Sequence, residues 1–262
     1  MVQLVEQLGA WMIGRVEELG RFLRVMALGV MWIFRPPWRP REIMRQLEFV
    51  GVQSMSIIVI TGAFTGGVFT LQAEYGFGLF GASSLTGSTV TLSLCRSIGP
   101  VFAALMMTAR AGSSMAAEIG TMKVTEQIDA LEAMAVEPLE YLVAPRILAS
   151  TVMGPLLAAC FTGVGVVGSY MVGVKLIGIN EGAFLDRIYW YNDPEDLLWG
   201  LGKAAVFGFV LAVVGCYKGL YVRGGAAGVG RATTGAVVVS SVSILVLDYF
   251  LTDFLMRMGW LT

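Results

Sequence analysis

The chain has 262 residues, 56% of them hydrophobic and 14% charged, with a formal net charge of −1 and a mean hydropathy of +0.74. A soluble domain carries about 25% charged residues, so a chain this apolar could not wet its own surface and reads as an integral membrane protein. The near-zero charge argues against nucleic acid as a partner, and the absence of histidine removes the commonest metal ligand and the usual near-neutral acid or base.

Residues 1–48 hold seven arginines and no long apolar run. Leu4, Leu8, Met12, Val16 and Leu19 recur at helical spacing, and Arg15, Arg21 and Arg24 follow, which fits a helix lying in the membrane interface. A soluble N-terminal arm is the alternative. Acids at Glu6, Glu17 and Glu18 speak against a cleavable signal peptide. The stretch Arg35-Pro36-Pro37-Trp38-Arg39-Pro40-Arg41 then breaks the helix and forms a basic anchor. Residues 1–45 are therefore set apart from a membrane domain over 46–262.

Five spans are expected within that domain, at about 49–73, 88–109, 147–174, 197–217 and 236–256, each near the ~20 residues a crossing needs. Gly62 and Gly66 form a GxxxG step suited to close helix packing. The Gly-, Ser- and Thr-rich residues 75–95 read as an outer loop or re-entrant piece. Polar and aromatic residues 175–196 belong at an interface. Cys95, Cys160 and Cys216 lie in apolar runs without CxxC spacing, as small buried hydrophobes do.

Basic residues orient the chain. Seven lie in the N-terminal arm; Arg110, Lys123 and Arg146 lie in the 110–146 loop, and Lys218, Arg223 and Arg231 in the 218–231 loop. Lys175, Arg187 and Arg257 remain for the other side. The N-terminus and both loops are thus expected in the cytoplasm and, after five spans, the C-terminus outside.

Arg96, Lys203 and Asp248 fall inside spans, where an unpaired charge costs several kcal/mol. Helical rise from the nearest cytoplasmic basic residue sets each roughly 20–25 Å above that face. Asp248 is expected to pair with Lys203 or with Arg96 beside a hydrated cavity; a purely structural bridge is the plainer alternative.

No engine is visible. Gly225 to Ala232 approaches a phosphate-binding loop, but Arg231 and Ala232 stand where Lys and Ser or Thr are required, so it reads as a flexible turn. The 110–146 loop is more informative. Gly120 can end the helix of span two, and Thr125 can cap a new one with Glu126 in its first turn. Ile128, Leu131 and Ala135 share one face, with Glu126, Asp129 and Glu132 on another. Pro138 can start a short turn, and Pro145 precedes span three. Such a helix suits docking into a partner's groove, although a solvated loop helix has the same spacing.

The segment ARAGSSMAAEIGTMKVTEQIDALEAMAVEPLEYLVAPR (109–146) resembles the signature loop of the MlaE/YrbE family. TLQAEYG at 70–76, RSIGPV at 96–101 and GRATTGAVVVSSVSILVLDYFLT at 230–252 agree with it. These proteins are permease subunits of ABC transporters that move phospholipids or other lipids between bacterial membranes. The resemblance implies an all-α homodimer in the inner membrane of a Gram-negative bacterium, with an N-terminal interfacial helix and five spans per subunit. It also implies a role in outer-membrane lipid asymmetry and no catalysis, metal or cofactor of the chain's own. The implied partners are a cytoplasmic ATPase of MlaF type, a hexameric ring of MCE-domain subunits of MlaD type, and a STAS-domain protein of MlaB type. By position, Glu118, Gly120, Met122, Glu126, Gln127, Asp129 and Leu131 become coupling candidates, and Leu71, Gln72, Tyr75, Leu79 and Arg96 candidates for a lipid cavity. One departure stands out: the acid that commonly follows the family's arginine is Ser97 here, which makes Asp248 a more attractive partner for Arg96. The competing class is a secondary carrier or channel that uses Arg96, Lys203 and Asp248 directly.

Overall fold

The computed structural model describes residues 2–35 and 39–258. Among these residues every regular element is helical, as befits a backbone that must satisfy its own hydrogen bonds without water. In chain order they are α1 (Val2–Phe34), α2 (Pro40–Gly78), α3 (Ser83–Val124), α4 (Gln127–Ala133), α5 (Leu139–Ile177), α6 (Glu181–Tyr191), α7 (Pro194–Leu220) and α8 (Gly225–Arg257). Helices α2, α3, α5, α7 and α8 are long and apolar enough to cross a membrane.

Every crossing helix outruns its expected span, because polar residues at the ends continue the helix instead of leaving it. The expected 75–95 loop is the largest correction. Only residues 79–82 separate α2 from α3, and the small residues of 86–91 sit inside the helix. They are small for packing: a Cβ on Gly87 would lie 2.7 Å from the Phe184 ring of α6. Glu74 closes the turn by accepting from the Ser83 hydroxyl at 2.6 Å and the Thr86 hydroxyl at 2.8 Å. The stretch 225–232 is likewise no flexible turn. It opens α8, with Gly224 before the helix and Gly225 as its first residue both at positive φ (+90° and +62°). Pro145 does not precede α5 but lies within it, where a wide π-type turn over Leu139–Val143 absorbs the missing N–H.

Helix α5 lies between α2 and α7. A Cβ on Gly66 would collide with the Gly165 carbonyl, and one on Gly208 with the Ser150 carbonyl, so both contacts need a bare backbone. Phe161, Phe207, Met107 and Leu211 fill the core. Helix α8 is the outlier: 17% of its most apolar stretch is buried, against 50% for α7. Val238, Val242, Leu245 and Tyr249 stay exposed along it.

In α1 the residues Met12, Val16 and Leu19 are exposed, whereas Val25 and Gly29 pack inward. The side chains of Leu4 and Leu8 and the anchor residues Pro36, Pro37 and Trp38 lie outside the described residues. Of the cysteines, Cys216 is buried, Cys95 and Cys160 are half-buried, and all are free thiols.

Candidate functional site

One end of the bundle gathers α1, α4, the end of α3 and the α7–α8 turn. The Tyr217 hydroxyl donates to the Glu18 carbonyl at 3.3 Å, and Gly120 packs on Val222 and Val229. The basic segments counted from sequence therefore meet on one side.

The structure corrects the reading of this end in three places. Helix α3 does not stop at Gly120; it runs to Val124, and Gly120 is buried because a Cβ would lie 2.9 Å from Val222. Thr125 does not cap α4: its hydroxyl donates back to the Thr121 carbonyl at 2.9 Å and closes α3. Glu126 stands before α4 in the left-handed conformation (φ +60°). Ala135, expected on the apolar face of α4, lies past its end at φ +59°. There Ala135 N–H donates to Glu132 O at 2.9 Å and Val136 N–H to Leu131 O at 3.0 Å, a Schellman closure in which glycine is the usual residue.

Helix α4 is thus seven residues held between two non-glycine residues at positive φ, a costly arrangement that persists only where its surroundings impose it. Ile128 anchors it in the core and Leu131 packs beside it. Lys123 Nζ meets Asp129 Oδ1 at 2.6 Å. Glu126, Gln127, Asp129 and Glu132 face outward. Glu118 accepts from the buried Arg146 at 2.7 Å, and Arg146 also donates to the Leu142 carbonyl at 2.6 Å. Met122 is half-buried next to that pair. The seven coupling candidates divide accordingly. Glu126, Gln127 and Asp129 present a surface; Gly120, Met122 and Leu131 seat it; Glu118 braces it to α5.

Toward the other end, Lys203 of α7 is buried and spends three ammonium hydrogens inside the chain. Its acceptors are Asp248 Oδ1 at 2.7 Å, Thr252 Oγ1 at 3.0 Å and Ser97 Oγ at 3.1 Å. One lysine so joins α3, α7 and α8. Of the two partners considered for Asp248, the structure takes Lys203. Arg96 turns instead to Asp196, with Nε to Oδ1 at 2.6 Å. Ser97 therefore does not send Arg96 to Asp248; it serves Lys203. Asp196 is not among the sequence candidates, although Asp193-Pro194-Glu195-Asp196 carries the spacing of a helix start. Its Oδ2 accepts from the Asp193 N–H at 3.2 Å while Oδ1 holds Arg96, so one carboxylate caps α7 and ties it to α3. Arg146, counted only as a loop charge, is the other residue missed.

Of the lipid-cavity candidates, Leu71, Gln72 and Tyr75 lie in the last turns of α2 and Leu79 just past its end. Leu71 and Gln72 are exposed, Tyr75 is 78% and Leu79 72% exposed. Leu71, Tyr75 and Leu79 recur every four residues and make one apolar stripe. Arg96 lies in the wide turn Leu94–Ile98 of α3, at the head of α7. Among the described residues no group of His, Cys, Asp or Glu is arranged to hold a metal ion.

Comparison with known proteins agrees with this architecture. The profile of the family described as permease MlaE matches residues 43–254. A probable ABC transporter permease protein of Rickettsia felis is 42% identical over 253 residues, covering 97% of this chain and 98% of that protein. The intermembrane phospholipid transport system permease protein MlaE of Haemophilus influenzae is 36% identical over 265 residues, covering 99% and 100%. TRIGALACTOSYLDIACYLGLYCEROL 1, a chloroplastic protein of Arabidopsis thaliana, is 36% identical over 215 residues, covering 82% of this chain and 61% of that protein.

Proposed function

This chain belongs to the MlaE permease family, and from that premise we propose that it moves phospholipid between the inner and outer membranes of a Gram-negative bacterium and so serves outer-membrane lipid asymmetry. The observation that carries the reading is α4 itself. A short outward-facing helix, anchored by Ile128, tied to α3 by Lys123–Asp129 and bracketed by Glu126 and Ala135, is a rigid handle on a chain with no nucleotide motif. An ATPase of MlaF type grips it at Glu126, Gln127 and Asp129, and hydrolysis belongs to that partner. A MlaB-type STAS protein joins the ATPase, and a MlaD-type hexamer of MCE domains receives lipid at the opposite end. The exposed apolar face of α8 is where a homodimer closes. Residues 1–45 serve as interfacial helix and anchor, 46–262 as the permease unit, with the N-terminus cytoplasmic and the C-terminus periplasmic.

Acyl chains need apolar walls and headgroups a polar rim. Leu71, Tyr75 and Leu79 supply the apolar surface, Gln72 adds an amide to the rim, and Arg96, with 25% of its side chain open, can meet a phosphate there. A secondary carrier or channel working through Arg96, Lys203 and Asp248 finds less support, because Lys203 is saturated by partners within the chain.

Co-purification and lipid transfer test the proposal together. Glu126→Lys combined with Asp129→Lys should release the ATPase and abolish transfer while the permease still reaches the membrane. An ATPase that stays bound, with transfer intact, refutes the assignment of α4.

A further inference from the structure

A second apolar recess lies away from the proposed path, between α1, α7 and α8, with a volume of ≈ 680 Å³. Its walls include Phe22 and Met26 of α1, Val210 and Val213 of α7, and Val239 and Val246 of α8. Its mouth is basic. Arg15 and Lys218 line it, and Arg21 and Arg223 line the adjoining polar pocket, against Glu18 as the one carboxylate lining either. Glu18 meets Arg15 at 3.2 Å and Lys218 at 4.0 Å, and Glu17 meets Arg21 at 3.6 Å. Two acids therefore answer four cations.

We propose that this recess seats an anionic phospholipid drawn from the membrane leaflet on the N-terminal face, its phosphate among Arg15, Arg21, Lys218 and Arg223 and an acyl chain between α7 and α8. Depth favours a lipid over a helix from another chain. The groove runs from Lys218 at its mouth past Phe209 of α7 to Val246 and Leu247 of α8, next to the Asp248 that pairs with Lys203. Lys203 stands fifteen residues before Lys218, about 22 Å at 1.5 Å per residue, a depth that takes a phospholipid and falls short of the hydrocarbon core about 30 Å thick that a crossing helix must span. The surplus of cations selects an anionic headgroup over a zwitterionic one, since guanidinium and ammonium groups near a bilayer recruit anionic lipid. The seat is separate from the α2 stripe and from Arg96, so it holds a resident lipid rather than cargo.

Photolabelling of the full chain in nanodiscs decides the matter. The discs are phosphatidylcholine doped with a phosphatidylglycerol bearing a diazirine on its acyl chain. Label should fall on residues 209–214 and 239–247, and unlabelled phosphatidylglycerol should compete for it. Arg21→Gln and Lys218→Gln should each weaken labelling about fivefold. Ser243→Trp, which fills the recess and leaves every charge in place, should remove it. Equal labelling by a phosphatidylcholine probe, or labelling indifferent to all three variants, overturns the proposal. So does a Val246→Cys variant that crosslinks there to a second copy or a companion chain, which makes the recess a protein interface.

Discussion

Replacing Asp248 with alanine strands Lys203, which keeps 3% of its side chain exposed. At 2.7 Å the pair attracts by about 6 kcal/mol gross at an effective dielectric of about 20. Taking each ion out of water costs several kcal/mol, so the intact pair comes out near break-even. Removing one partner leaves the other's desolvation unanswered, typically about 3–5 kcal/mol. On the scale of soluble domains that lowers the unfolding temperature by roughly 6–20 °C. The double variant Lys203→Met with Asp248→Leu should recover most of the loss, because an apolar pair of similar volume replaces both ions. The assay is thermal unfolding of the purified protein for both singles and the double, read as a cycle. An Asp248→Ala loss under about 1 kcal/mol, or single losses that merely add in the double, refutes the buried latch. Lipid transfer by the double then separates roles: transfer that survives with restored stability marks the charges as structural.

Gly66→Ala should destabilise by about 1–3 kcal/mol, since the new methyl meets the Gly165 carbonyl and backbone cannot yield. Gly76→Ala on the same helix meets nothing within 4 Å and should be tolerated, and chemical unfolding of the two side by side checks this. Ala135→Gly should stabilise by about 1 kcal/mol by relieving the left-handed alanine; an unchanged midpoint argues against strain at the end of α4. Asp196→Ala removes a cap and the partner of Arg96 at once and should cost about 2–4 kcal/mol. Asp193→Ala, which takes away only the other half of the cap, should cost about 1 kcal/mol in the same melts.

The helical class was legible because it rests on local quantities. Runs such as 49–73 and 147–174 are too apolar and too long for anything but a crossing helix, and their number survived comparison with the structure. Span ends were less legible. Serine, threonine and glycine at 86–91 look like loop when only propensity is weighed, and they are helical because Phe184, nearly a hundred residues on, needs the space beside Gly87. Gly120 misled in the same way: alone it reads as a stop, but against Val222 it is a packing residue. Glu126, Asp129 and Glu132, set on one polar face by their spacing, are exposed, although Glu126 stands before α4 rather than in its first turn. Glu118, Met122 and Leu131 needed the partners Arg146 and Ile128 to be seen in place.

The sequence by itself determined that this is a five-crossing helical membrane chain and that Arg96, Lys203 and Asp248 lie at similar depth, since hydropathy, charge and helical rise are properties of each segment alone. Which charge answers which was decided only by the tertiary structure. Pairing depends on how each helix is rotated about its axis and on which helix stands next to it. Those two facts set Lys203 on Asp248 and Ser97, and sent Arg96 to a carboxylate at the head of α7 that the chain read in order had placed among ordinary interfacial residues.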